Sequence, residues 1–206
     1  MVQGMAQGMV RAFFTIGHST RSLEEFTDLL LRSGVTQVID VRKMPMSRTN
    51  PQFNRDSLPG ALAPAIGYAH IAALGGLRGK TPGLPRDING FWTNPSFHNY
   101  ADYALSAPFR DGLAELRDIG LRQTCAIMCS EAVWWRCHRR IIADYLLACG
   151  ETVFHILSED RPEPARLTAG AVVEPDGRII YPAPPDPSRP PRSTNPRSHA
   201  TAGCAP

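Results

Sequence analysis

Residues 128–140, MCSEAVWWRCHRR, place two cysteines, a glutamate, a histidine and three arginines within thirteen positions. A thiol close to a helix start and to cationic side chains ionises readily, and a neighbouring imidazole or carboxylate can carry its proton. Cys129 is the expected nucleophile or essential thiol, with Glu131, His138 and, from further away in the chain, His18 as proton carriers. Its bland alternative is a small buried hydrophobe. Cys137 reads as a packed or substrate-positioning residue, or as a thiol that resolves Cys129 into a disulfide; no Cys-x-x-Cys spacing supports the latter. His138 serves either as a base or as a donor to a strand-end carbonyl. The Cys-x5-Arg loop of a phosphatase is missed by one residue, because Arg136 follows Cys129 at Cys-x6-Arg.

A metal is the alternative chemistry. Cys129, Cys137, His138, His18, His70 and Glu131 are all suitable ligand types, but their spacing is neither a zinc-ribbon nor a finger pattern. If Cys137 and His138 open a helix, their side chains diverge by about 100°, which hinders joint ligation. No cofactor is required by the sequence, and no residue is assigned to metal.

These residues need a scaffold. RAFFTIG reads as a buried strand ended by Gly17. Ser22 with Glu25 forms a capping-box pattern, and Leu23, Phe26, Leu29 and Leu30 recur at helical spacing until Gly34. VTQVIDV follows as a second strand, completing a strand–helix–strand unit whose strands should be parallel. GYAHI is a third strand. NPSFHNYADYALS and PFRDGLAELRDIG read as consecutive helices, each with proline near its start. TCAIMC is a fourth strand, CHRRIIADYLLACG a helix and TVFHIL a closing strand. The expected fold is a single three-layer α/β domain over residues 11–160, with a mostly parallel sheet and helices on both faces. Residues 1–10 are expected to be a flexible N-terminus. Eleven of the 19 prolines fall in the last 46 residues, so 161–206 reads as a largely disordered tail, with a short hairpin at 170–182 around Pro-Asp-Gly.

In an open parallel sheet, side chains at the carboxyl ends of the strands converge on one crevice. That edge gathers His18 and Ser19 after the first strand, Asp40 and Arg42 after the second, His70 after the third, and Cys129 to Glu131 after the fourth. Ser19, Asp40, Arg42, Arg48, His70, Cys137 and Arg139 are the expected substrate-binding residues. For Asp40 the plainer reading is a structural ion pair with Arg42. Gly75 and Gly76, beside Arg78 and Lys80, are a weak phosphate-cradle signal. Trp134 and Trp135 could stack on a base. Met44, Met46, His98, Tyr100 and Tyr103 read as packing residues, and Cys125 and Cys149 as core.

The segments IGHST, IDVRKMPMSR with a following Pro-Gln-Phe, YAHIAALGG, and CSE through CHRRIIADYL resemble the bacterial domain of unknown function 488 family, over roughly Thr15 to Leu157. The resemblance implies an α/β domain with a Cys-x-Glu and a Cys-His-Arg among its signature residues and no settled reaction. The positions that carry it are His18 and Ser19, Asp40 and Arg42, Ser47 and Arg48, His70, Gly75 and Gly76, Cys129 and Glu131, and Cys137, His138 and Arg139. AVWWR departs from the family pattern, which often has a proline-containing turn at this point.

Composition narrows the partners. A net charge of +3 is too small to mark a nucleic-acid binder by itself, and an odd count of five cysteines in a chain of 206 residues argues against a secreted disulfide framework. Without an apolar run of ~18 residues or a leader pattern, a cytoplasmic location and no membrane partner are expected. The expected function is an enzyme acting on an anionic substrate (nucleotide, nucleobase or nucleic-acid related) by cysteine-dependent or general acid/base chemistry. The alternatives are a metal-dependent enzyme with Cys/His ligands and a non-catalytic nucleic-acid-binding module.

Overall fold

The computed structural model describes residues 12–184. The flexible start expected at 1–10, the last part of the proline-rich tail and Cys204 lie outside the described residues.

Strands β1 (Phe13–Gly17), β2 (Gln37–Asp40), β3 (Gly67–His70), β4 (Cys125–Cys129) and β5 (Val153–Ile156) are parallel, and the two-residue β6 (Glu163–Pro164) closes one edge antiparallel to β5. Their spatial order is β3-β2-β4-β1-β5-β6. Side chains alternate between two apolar layers, as a period of two requires. Phe13, Ile39, Cys125, Ile127 and Cys129 face helices α3 (Pro95–Ala104), α4 (Ala107–Gly120) and α5 (Arg139–Ala148). Phe14, Ile16, Val38, Ala126 and Met128 face α1 (Leu23–Arg32) and α2 (Leu58–Leu62). The domain is therefore α/β with helices on both faces. The cap expected on α1 is present, with the Ser22 side chain accepting from the Glu25 N–H at 3.0 Å. Among the described residues no helix is long and apolar enough to cross a membrane.

β4 lies between β1 and β2, so the chain leaves β1 toward one side through α1 and leaves β4 toward the other through α5. Connections that diverge in this way open a crevice at the carboxyl ends of the two central strands. The strand ends are level, with Gly17 opposite Cys129 and Asp40 beside both His70 and Met128.

Packing continues past residue 160, where helical and strand periodicity fade. Beyond β6, β7 (Val172–Val173) pairs with β8 (Ile179–Ile180), at the place expected for a hairpin. Ile179 and Tyr181 are fully buried, and the Tyr181 hydroxyl donates to the Asp144 carboxylate at 2.9 Å. Strands of two residues leave no periodic trace; the segment is held by single anchors instead.

Candidate functional site

Above the ends of β1, β2 and β4 opens a cleft of about 680 Å³, a size suited to a small ligand. Its lining includes His18, Ser19, Arg42, Cys129, Glu131, Cys137 and His138 from the expected set. Asp40, His70, Arg48 and Arg139 do not line it, Asp40 being fully buried. Arg48 is exposed, whereas His70 and Arg139 stand behind the surface residues.

Cys129 ends β4. A 3-10 turn, Trp134–Arg136, then intervenes before α5, so Cys137 has extended backbone (φ −128°, ψ 146°) and His138 caps the helix at φ −58°, ψ −17°. This corrects the expectation that the helix begins at Cys137. The abrupt change of backbone between them turns both side chains onto one point. His138 Nδ1 lies 3.6 Å from Cys137 Sγ and 3.9 Å from Cys129 Sγ, and all three atoms fall within 4.8 Å of one another. The other ring nitrogen, Nε2, donates to the Val41 carbonyl at 3.0 Å. A carbonyl can only accept, so the proton of the neutral ring sits on Nε2 and the Nδ1 lone pair faces the sulfurs. Gly76 permits this approach: a Cβ there would lie 2.8 Å from His138 Nδ1. Gly76 thus makes room for the imidazole, while Gly75 packs against the backbone of Ala72 and Lys43. Arg78, its expected phosphate-binding neighbour, folds back onto the carbonyls of Ala72, Ala73 and Gly75.

Both sulfurs are recessed, Cys129 at 6% and Cys137 at 2% exposure. Burial opposes ionisation of Cys137, but the hydrogen bond from the Cys129 thiol and the adjacent Arg139 guanidinium outweigh it and bring its pKa down to about 6. Cys129, donating to Cys137 and buried, is pushed up to about 12. The Cys129 thiol and the Arg139 guanidinium thus both favour the ionised form of Cys137. Arg139 itself is buried, its Nε donating to Cys137 Sγ at 3.2 Å and its Nη2 to the Glu131 carbonyl at 2.5 Å. It braces the floor and is out of a substrate's reach.

Arg42 is also directed inward. It makes a bifurcated ion pair with Asp40, at 2.6 Å from Nη2, and donates to the Phe53 carbonyl at 2.6 Å and to His18 Nε2 at 3.2 Å. Tyr68, absent from the sequence-derived set, donates to Asp40 at 2.7 Å, and His70 Nε2 donates to the Arg42 carbonyl at 2.9 Å. Asp40, Arg42, His70 and Tyr68 form one buttress. His18 belongs to it: Nδ1 donates to the Ser19 carbonyl at 2.9 Å, and the ring stacks on Phe53 at 4.4 Å. Burial first, and the Arg42 charge next among the lowering causes, bring its pKa down to about 4. With both nitrogens engaged, His18 is a poor base.

The walls supply the exposed charge. Lys43, whose Nζ donates to the Leu77 carbonyl at 3.1 Å, and Arg136 are both exposed and line the cleft, with Glu131 as the one acid among its lining residues. Ser19, Ser47 and Asn50 add neutral polar groups, and Met44, Met46 and Leu77 form an exposed apolar rim, which corrects the expectation that the two methionines pack inside. Trp134 is stacked on His155 at 4.3 Å, and neither tryptophan lines the cleft, so the stacking surface expected from AVWWR is not part of it. Cys125 is core, whereas Cys149 at the end of α5 is exposed.

The two depressed histidines give a pH dependence of stability. His155, held by burial and by the Arg139 charge at about 4, accompanies His18, whose ring faces Arg42, Asp40 and Arg139. Above the unfolded value of 6.5 both states are neutral and stability is full. Between about 6.5 and 4 the unfolded chain takes up protons first. Stability should therefore fall over that window by several kcal/mol, up to about 3.5 kcal/mol from each histidine. Urea midpoints measured across that range test this; a midpoint flat from pH 7 to pH 4.5 refutes it.

No curated protein and no solved structure matches the chain. A family model does, described as domain of unknown function DUF488, over residues 22–146, a span that contains the Asp40–Arg42 pair and the whole Cys129–Cys137–His138 floor. The chain belongs to the DUF488 family.

Proposed function

We propose that this protein is an enzyme acting on a small anionic substrate, of the nucleotide, nucleobase or nucleic-acid-related class, which enters the cleft and reacts at its sulfur–imidazole floor. One observation carries the reading: two thiols and an oriented imidazole nitrogen from separate segments converge at the bottom of a cleft whose walls hold Lys43 and Arg136 against a single acid. A purely structural cluster has no need of an open approach. Lys43 and Arg136 neutralise the substrate, Ser19 and Asn50 orient it, and Glu131 at the rim accepts or returns a proton. His18, Asp40, Arg42, His70 and Arg139 are positioning residues. A non-catalytic nucleic-acid module has less support, since Trp134 is already stacked on His155 and buried Arg42 and Arg139 are engaged internally.

Calorimetry with inorganic phosphate, AMP and a short single-stranded oligonucleotide, combined with a turnover screen on chromogenic phosphate and carboxylate esters, tests the proposal. At least one of these anions should bind, with Lys43→Ala and Arg136→Ala each weakening it about tenfold, the scale of one charged hydrogen bond. His138→Ala should remove turnover with far-UV circular dichroism unchanged. Anion affinity indifferent to both cations, or turnover that survives His138→Ala, refutes it.

A further inference from the structure

We propose that Cys129, Cys137 and His138 form a binding site for one thiophilic divalent cation of the zinc type, with its fourth position open to the cleft. The site is inferred from ligand geometry; its use in catalysis rests on the enzyme reading above.

Two sulfurs and an imidazole suit a borderline-soft ion that is normally four-coordinate. With Zn–S near 2.3 Å and Zn–N near 2.0–2.1 Å, tetrahedral ligation places sulfur and nitrogen about 3.5 Å apart. The Nδ1–Sγ separations are 3.6 and 3.9 Å. Outer contacts are also in place. The Val41 carbonyl fixes the tautomer that turns the Nδ1 lone pair toward the sulfurs, and Arg139 donates to Cys137 Sγ. Ligating histidines and thiolates are usually held in this manner by such partners. The sequence-based objection to joint ligation assumed that Cys137 and His138 lie on one helix, and it lapses because Cys137 precedes α5 in extended backbone.

Burial gives the cation a purpose. Cys129 and Cys137, at 6% and 2% exposure, lie recessed beneath the cleft, and an ion seated above their sulfurs presents a reactive position at its floor. Among the described residues the cluster offers three protein ligands. Three ligands plus an exchangeable position is the arrangement of catalytic zinc sites, and closed structural sites use four. The open position takes water or a substrate oxygen.

Chelator-treated, reduced full-length protein is titrated with Co²⁺, then with Zn²⁺ in competition with a chromogenic chelator. One equivalent of Co²⁺ should bind with sulfur-to-metal charge-transfer absorption, and His138→Ala should weaken Zn²⁺ by more than the ~10–100-fold that outer partners contribute. Without any variant, Zn²⁺ should protect Cys129 and Cys137 from iodoacetamide while exposed Cys149 is still labelled. Lys43→Ala and Arg136→Ala should bind Zn²⁺ as the unaltered protein does, which separates failure of this site from failure of the anion site. The absence of a saturable one-equivalent site, a site that persists in Cys129→Ser/Cys137→Ser, or equal labelling of the three cysteines with Zn²⁺ present overturns the proposal.

Discussion

Replacing Asp40 with alanine is expected to lower the free energy of unfolding by about 3–5 kcal/mol, the range for removing one partner of a buried ion pair. Asp40 has no exposed surface, and its carboxylate receives the Arg42 backbone N–H at 2.9 Å, Arg42 Nε at 3.0 Å, Nη2 at 2.6 Å and the Tyr68 hydroxyl at 2.7 Å. Alanine leaves a guanidinium at 6% exposure with only the Phe53 carbonyl and His18 Nε2 as acceptors. Much of the loss belongs to that stranded charge and not to the net worth of the pair, because desolvation offsets most of the attraction between buried ions. The double variant Asp40→Ala/Arg42→Met should therefore be more stable than Asp40→Ala alone. Urea denaturation of the three proteins decides the matter, and a single variant within 1 kcal/mol of the parent would contradict the buttress as described.

The Asp40–Arg42 buttress also shows where sequence reading succeeds and where it stops. Strand ends are legible because apolar runs and their turn residues mark them, and parallel topology then brings His18, Asp40, His70 and Cys129 to one edge. Whether a cation at that edge faces solvent is not written in its residue type. Arg42 and Arg139 turn inward to carbonyls, a carboxylate and a sulfur, and Lys43 and Arg136 remain as the exposed charges on the walls. Met44 and Met46 pose the same problem with opposite sign, since apolar type suggested burial and the chain placed them on the rim. The Cys137–His138 geometry was hidden by one short 3-10 turn, Trp134–Arg136, which delays α5 until Arg139. No periodicity distinguishes three residues of 3-10 turn from the first turn of an α-helix.

Gly17→Ala tests whether the floor depends on that local path. Gly17 ends β1 in register with Cys129, and a Cβ at position 17 would fall far inside the van der Waals contact of the Glu131 carbonyl and 2.9 Å from Ala132 Cα. These are backbone atoms, so no rotamer change relieves the overlap. Either β1 or the loop from Ser130 to Ala132 must move, and β1 is held by parallel partners on both sides. The loop yields, and it is tied to the floor: the Glu131 carbonyl accepts from Arg139 Nη2, whose Nε contacts Cys137 Sγ. A methyl group on β1 should thus destabilise the fold by about 3 kcal/mol, the upper end for overpacking. It should also displace Arg139 from Cys137 and lower the affinity of the Cys129–Cys137–His138 site for Co²⁺. A control overpacked against mobile side-chain atoms separates the two effects. At Gly67 the nearest atom is the end of the flexible Gln37 side chain, which can move aside, so Gly67→Ala should be mild in stability and silent in cobalt binding. If Gly17→Ala folds with parent-like stability and an unaltered cobalt spectrum, the Glu131 carbonyl does not couple β1 to the floor.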